Sequence, residues 1–165
     1  ALNFSVIDVN KLITAIVKEY KPQATATGAT VHYNGGGAHV RPMADESLLK
    51  IAIANLLDNA IKYGGQNAIV NIDEYTQNSS VLITVTDNGP GIPQQYQDKV
   101  FDRFFRVPSG DIHNVKGYGL GLSYAKSIIE RHKGILSLTS KEGEGTQFII
   151  SIPLIYHEAS QSTVA

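Results

Sequence analysis

The chain has 165 residues, 42% of them hydrophobic, with 14 Lys+Arg against 15 Asp+Glu and a formal net charge of -1. That is the size and balance of one globular domain, and without a basic cluster it lacks the face that contact with nucleic-acid phosphates requires. The sequence has no Cys, which excludes a disulfide framework, a thiolate metal site and a thiol nucleophile, and no segment approaches the roughly 20 apolar residues of a membrane span.

The opening ALNFSVID lacks the charged-then-apolar form of a signal peptide. Residues 3–8 read as a short strand. Asp8 is placed to cap a helix over residues 9–20 with Leu12, Ile13, Ile16 and Val17 on one face, and Pro22 is expected to end it. Residues 30–33 and 38–41 flank the run NGGG and read as a hairpin, since consecutive glycines supply the positive φ of a tight turn. A phosphate loop is disfavoured there because no helical pattern follows. The strongest helical pattern is 45–63, with Leu49, Ala52, Ile53, Leu56 and Ala60 in phase and Gly64 as the stop.

Residues 68–75 and 80–87 alternate and are joined by the polar TQNSS, which predicts an antiparallel pair. In the second run Val81, Ile83, Val85 and Asp87 fall on one face, so the period that buries three apolar side chains also turns a carboxylate inward. A short amphipathic helix is expected at 94–104, a polar loop at 107–116, and a helix at 120–132 with Leu122, Ala125, Ile128 and Ile129 inward. Residues 135–139 and 147–152 alternate across KEGEG and predict a closing hairpin. Residues 157–165 have no pattern and are expected to be a disordered tail after a domain of residues 1–156. The order of elements predicts an α/β fold, a two-layer sandwich whose mixed, mainly antiparallel sheet carries helices on one face. Three joints are too short for parallel crossovers, which disfavours a Rossmann domain.

Three segments carry chemistry. On the helix of residues 45–63, Asn55, Asp58, Asn59 and Lys62 share a polar stripe; an Asn amide oxygen is a neutral, hard ligand suited to Mg²⁺, and Lys62 could neutralise a phosphate. In DNGPGIP, Asp87 ends the strand, Gly89 and Gly91 let backbone approach a ligand, and Pro90 and Pro93 stiffen the turn. An inward carboxylate needs a donor, and a ligand amino group is one candidate. KGYGLGLS places three glycines directly before a helix, where free N–H groups suit phosphates, but its G-x-G-x-G spacing is not the dinucleotide fingerprint. The polar loop before it, opened by Arg106, has the composition of a lid.

NLLDNAIKY, DNGPGI, FDRFFR, GYGLGL and GEGTQF, in this order, resemble the N, G1, F, G2 and G3 boxes of the sensor histidine kinase catalytic and ATP-binding domain. The boxes and the strands between them cover residues 45–153. The resemblance implies the Bergerat ATP-binding fold and a protein-histidine kinase whose substrates are ATP and a histidine on a separate domain. It implies that Asn59 coordinates Mg²⁺, that Asn55 supports the ion or a phosphate, that Lys62 contacts phosphate and that Tyr63 lies against the nucleotide. By the same resemblance Asp87 accepts the adenine 6-amino proton, and Gly89, Gly91 and Ile92 shape the adenine pocket. Phe101, Phe104 and Phe105 anchor the lid unless they are plain core, and Arg106 and Lys116 are phosphate contacts. Gly117, Tyr118, Gly119, Leu120, Gly121 and Leu122 form the phosphate cradle, and Thr146 closes the pocket.

None of His32, His39, His113, His132 and His157 has the family's phospho-acceptor context of a following acidic residue, then a basic one and a Pro. The acceptor histidine and the dimerisation helices are therefore expected N-terminal to Ala1. The implied partners are that dimerisation domain and a response-regulator receiver domain, with no nucleic acid and no direct membrane contact. The domain alone is expected to be a monomer, on the cytoplasmic side of a membrane-anchored bacterial receptor. Gyrase-type, mismatch-repair and chaperone relatives of this fold activate water with a Glu four residues before the metal Asn; here that position is Asn55, and an amide cannot take the proton. An anti-sigma type serine kinase shares the glycine boxes, and FDRFFR favours the histidine kinases over it. A pseudokinase that binds ATP only to transmit a conformation is the third reading, and the full set of metal and phosphate residues counts against it.

Overall fold

Asp8 and Asp45 each open a helix by accepting a backbone N–H three residues on, from Lys11 at 3.1 Å and from Leu48 at 3.1 Å. The computed structural model describes residues 1–35, 41–108 and 121–154. The helix after Asp8, α1, spans Val9–Thr27, and the one after Asp45, α2, spans Glu46–Tyr63. Pro22 does not end α1: it lies inside the helix, which stops at Gly28 in the left-handed region at φ 77°. Pro22 and Lys18, whose carbonyl the proline leaves unpaired, are both exposed, so water can take that carbonyl. The extra turns bury Ala24 and let Gln23 donate to Asp58 of α2 at 2.9 Å. Tertiary contact outweighs the local penalty.

The first strand, β1, is only Ser5–Val6 and pairs antiparallel with β3, Met43–Ala44. β2, Thr30–Asn34, forms no hairpin with the segment after it among the described residues; it runs parallel to β4, Ile69–Gln77, from Thr30 opposite Ile69 to Asn34 opposite Asp73. Of the expected second arm, residues 38–40 lie outside the described residues and Arg41 is in no strand. β4 turns into β5, Ser80–Asp87, through Asn78 and Ser79 alone, with φ 50° and 61°, the two positive values a tight hairpin turn requires. Beyond β5 come α3, Gln94–Gln97, and α4, Gly121–Arg131, then β6, Ile135–Lys141, and β7, Gly145–Pro153.

The main sheet has the order β2-β4-β5-β7-β6, antiparallel except at β2. Helices α1, α2 and α4 cover one face. Ile13 and Ile16, Leu49, Ile53 and Leu56, and Ile128 and Ile129 from these helices are buried with Val70, Ile72, Ile83, Val85, Phe148 and Ile150 of the sheet. The expected helix over 94–104 is a single turn followed by three-residue turns, Lys99 to Tyr96, Asp102 to Lys99 and Phe105 to Asp102. Its pattern is met by burying Val100 and setting Phe101 edge-on to Phe148, with no continuous helix. Phe104 takes the left-handed region, φ 66°.

Among the described residues, two buried side-chain atoms have no hydrogen-bond partner, Tyr33 OH and Glu74 Oε2. Burial, then the charge of Asp8, pushes the Glu74 carboxyl up, and burial with Glu74 and Asp8 nearby pushes the Tyr33 phenol up to about 12. Among the described residues no helix is long and apolar enough to cross a membrane. The expected tail, 157–165, lies outside the described residues.

Candidate functional site

The buried stripe of α2 fixes where its polar stripe points. With Ala52, Leu56 and Ala60 packed on the sheet, Asn55, Asp58 and Asn59 are left half-buried at the helix flank and Lys62 exposed. The Asn55 amide donates to the carbonyl of Gly121, the first residue of α4, at 3.2 Å. That bond ties α2 to α4 and leaves the Asn55 oxygen as an acceptor. Lys62 pairs with Asp58 at 2.9 Å, one helical turn back, while Tyr63 closes the helix at 40% exposure. Among the described residues a Cβ on Gly121 would meet only Asn55, at 3.9 Å, so the protein's own packing does not require glycine there.

At the end of β5 the inward turn of Asp87 is as alternation predicts. Asp87 Oδ1 accepts the Gly89 N–H at 2.8 Å. Burial holds the carboxyl above the usual range, opposed by the N–H groups of Gly89 and Thr146. A carboxylate has more lone pairs than this turn uses, so acceptor capacity remains. Thr146 of β7 stands directly opposite Asp87 in the ladder and is buried.

The glycines after Asp87 are where the chain has no room. A Cβ on Gly89 would lie 2.9 Å from the Gly64 Cα and 3.1 Å from the Tyr63 carbonyl, at the end of α2. At Gly91, φ 74°, it would lie 2.2 Å from the Lys141 carbonyl oxygen. The loop is thus wedged between α2 and the turn of β6 and β7, and the Gly143 N–H donates to the Pro90 carbonyl at 2.6 Å. Ile92 packs partly into the core.

Phe101 packs on the core, whereas Phe104 is 66% exposed, with the Arg103 guanidinium 5.6 Å from its ring centroid; most of the lid they are expected to anchor, residues 109–120, lies outside the described residues. Phe105 rests against Tyr96 at 5.9 Å between ring centroids, and Arg106 is half-buried. Leu122 packs partly against the core. Lys116, Gly117, Tyr118, Gly119 and Leu120, with His39, His113 and His157, lie outside the described residues. Three residues escaped the sequence reading. Ser140 accepts the Ile92 N–H at 2.8 Å, Gln97 donates to the Ile92 carbonyl at 2.9 Å, and Asn88 accepts the Ile69 N–H at 2.8 Å. Ser140 had a signal: it is in phase with Leu136 and Leu138, as Asp87 is with Val85.

A sheet covered on one face by helices, with a carboxylate and glycine turns at a strand end beside an Asn-bearing helix, defines a two-layer α/β sandwich. The profile of the histidine kinase-, DNA gyrase B-, and HSP90-like ATPase family matches residues 44–155, and the chain belongs to that family. Its relatives there are sensor histidine kinases. The sensor protein RprX of Bacteroides fragilis is 35% identical over 159 residues, 95% of this chain and 31% of that protein. The nucleotide-free catalytic domain of histidine kinase ThkA superposes at TM-score 0.80 and 28% identity over 93% of this chain and 99% of that one. ThkA in complex with the response regulator protein TrrA superposes at TM-score 0.76 and 26% identity over 92% of this chain and 42% of that one. The chain therefore spans about a third of RprX, and it corresponds to the ATP-binding catalytic domain.

Proposed function

We propose that this domain binds Mg-ATP between α2 and the loop after β5 and presents the γ-phosphoryl group to a histidine of a separate dimerisation domain. The observation that carries the reading is the Asp87 corner, where an inward carboxylate with acceptor capacity to spare stands beside Gly89 and opposite Thr146. Such a carboxylate accepts the 6-amino proton of adenine and repels the 6-carbonyl of guanine. Ile92 and Tyr63 flank the base and sugar, and Lys62 leaves Asp58 to meet a phosphate. Arg106, Lys116 and the backbone of residues 117–122 complete the phosphate side.

The donor set fits an ion that arrives with the nucleotide. Among the described residues no three His, Cys, Asp or Glu side chains converge on a common point, so an all-protein metal cage is absent there. A Mg²⁺ held by the Asn59 oxygen, with support from Asn55, matches the preference of that ion for few protein ligands plus phosphates and water. When bound, the ion neutralises phosphate charge. The chain's own work is to hold the phosphates and orient them, which is most of what phosphoryl transfer asks of a protein. Asn55 offers an amide already committed to Gly121, so no base for water stands at that position, and transfer is favoured over hydrolysis.

On this reading the domain, monomeric alone, works with the dimerisation domain of its own kinase. That domain passes the phosphoryl group to a response-regulator receiver domain on the cytoplasmic side of the membrane; the ThkA complex with TrrA supports such a partner. Nucleic acid and direct membrane contact have no part in it. Calorimetric titration tests the binding step: ATP should bind in the presence of Mg²⁺ and GTP should bind poorly. No heat with Mg-ATP, or equal affinities for the two nucleotides, would overturn it.

A further inference from the structure

Ser140 touches both walls of the base pocket without being part of it. We propose that Ser140, assisted by Gln97, is a positioning residue that orients the Thr146 hydroxyl and the Ile92 loop for recognition of the base; this rests on the ATP reading above. Ser140 Oγ accepts the Ile92 N–H at 2.8 Å, can donate to the Gly145 carbonyl at 3.0 Å, and lies 2.8 Å from Thr146 Oγ1. Gln97 Nε2 donates to the carbonyls of Ile92, at 2.9 Å, and of Ser140, at 3.1 Å. Both backbone groups of Ile92 are thereby tied to residue 140, by its side chain and through Gln97. Ser140, Thr146 and Asp87 stand opposite one another across β6, β7 and β5, so their side chains emerge on one face.

A hydroxyl has one hydrogen. If Ser140 gives it to the Gly145 carbonyl, the Thr146 hydroxyl turns its own hydrogen to Ser140 and shows the pocket only lone pairs. If Ser140 gives it to Thr146, the Thr146 hydrogen is free to enter the pocket beside the Asp87 acceptor. The edge of adenine carries a donor, the 6-amino group, next to an acceptor, the ring nitrogen N1. The second arrangement pairs with that edge, acceptor to donor and donor to acceptor. Guanine presents a carbonyl and a ring N–H in the same places and is mismatched at both. Ser140 thus contributes to base selectivity through Thr146.

The test compares ATP and GTP affinities, with melting temperature, for wild type, Ser140→Ala, Ser140→Thr and Gln97→Ala. Ser140→Ala should weaken ATP by about fivefold or more and narrow the ATP-to-GTP ratio, the size of one lost hydrogen bond. Ser140→Thr keeps the hydroxyl and should restore the wild-type ratio, and Gln97→Ala should weaken ATP by about two- to threefold. A purely structural role would lower the melting temperature and leave the ratio alone. Wild-type affinity and ratio in Ser140→Ala would overturn the inference, as would an equal loss in Ser140→Thr. Should Ser140→Ala fail to fold, an unchanged ATP affinity in Gln97→Ala overturns it. A wild type that binds neither nucleotide overturns the ATP reading and this inference together; a wild type that binds ATP beside unaffected variants overturns this inference alone.

Discussion

Asp87→Asn should separate stability from binding. The Asn oxygen can still accept the Gly89 N–H that Asp87 holds at 2.8 Å, which turns the NH₂ toward the pocket. The 6-amino group of adenine then meets a donor where it had a charged acceptor. Losing a hydrogen bond to a charged group costs about 1.5–3 kcal/mol, which is roughly a 10- to 150-fold rise in the Kd for ATP. GTP offers a carbonyl to the new NH₂, so the preference for ATP should narrow. Stability should move the other way. Burial raises the Asp87 carboxyl, so what the group adds to folding is present below the ordinary Asp range and is lost as pH rises through the raised native value. At neutral pH the neutral amide avoids that cost, and the nucleotide-free variant should melt no lower than wild type, with its advantage fading in acid. Calorimetry with both nucleotides and melting curves at pH 7 and pH 4 read both effects. An ATP affinity within about threefold of wild type would refute the placement of adenine on Asp87. A melting temperature that falls together with affinity would refute the argument from burial.

Asn59→Ala should abolish the Mg²⁺ dependence of nucleotide binding while leaving the melting temperature within a few degrees, since the side chain fills no core volume; a fluorescent ATP analogue titrated with and without Mg²⁺ checks this. Gly91→Ala should destabilise the fold by about 2 kcal/mol or more, because its Cβ would meet the Lys141 carbonyl at 2.2 Å. Gly143→Ala, with nothing within 4 Å among the described residues, should cost about 1 kcal/mol from its positive φ alone, and chemical denaturation ranks the two. Glu74→Gln should raise the melting temperature at neutral pH. The raised Glu74 carboxyl favours folding below the ordinary Glu range and loses that contribution as pH rises, so the gain should vanish at low pH.

What was legible in the sequence was whatever a local period determines. The stripe of Leu49, Ala52, Ile53 and Leu56 placed α2, and the same logic turned Asp87 inward. Ser140 was equally legible, in phase with Leu136 and Leu138, but a lone Ser at a strand end attracts less notice than a charge. The misreadings arose where distant contacts outweigh local preference. Pro22 looked like a stop because the Gln23 to Asp58 bond and the burial of Ala24 are not visible in the residues around it. Residues 30–33 looked like a hairpin arm because the glycines that follow signal a turn, whereas the true partner of Thr30 is Ile69, a parallel pairing that α2 separates in the chain. The amphipathic pattern of 94–104 is satisfied equally by helix or by successive turns around Val100, and periodicity alone cannot choose between them.

The central claim is transfer to a histidine. It is tested most directly by incubating the domain with Mg²⁺ and γ-labelled ATP, with and without a separately purified histidine-bearing helical hairpin of its own kinase. The domain alone should neither label itself nor release phosphate at a useful rate. With the hairpin present, the partner should take up a label that acid removes and base does not, as a phosphoramidate requires, and Asn59→Ala should abolish it. Rapid phosphate release by the isolated domain, or an acid-stable label on a partner serine, would contradict the claim.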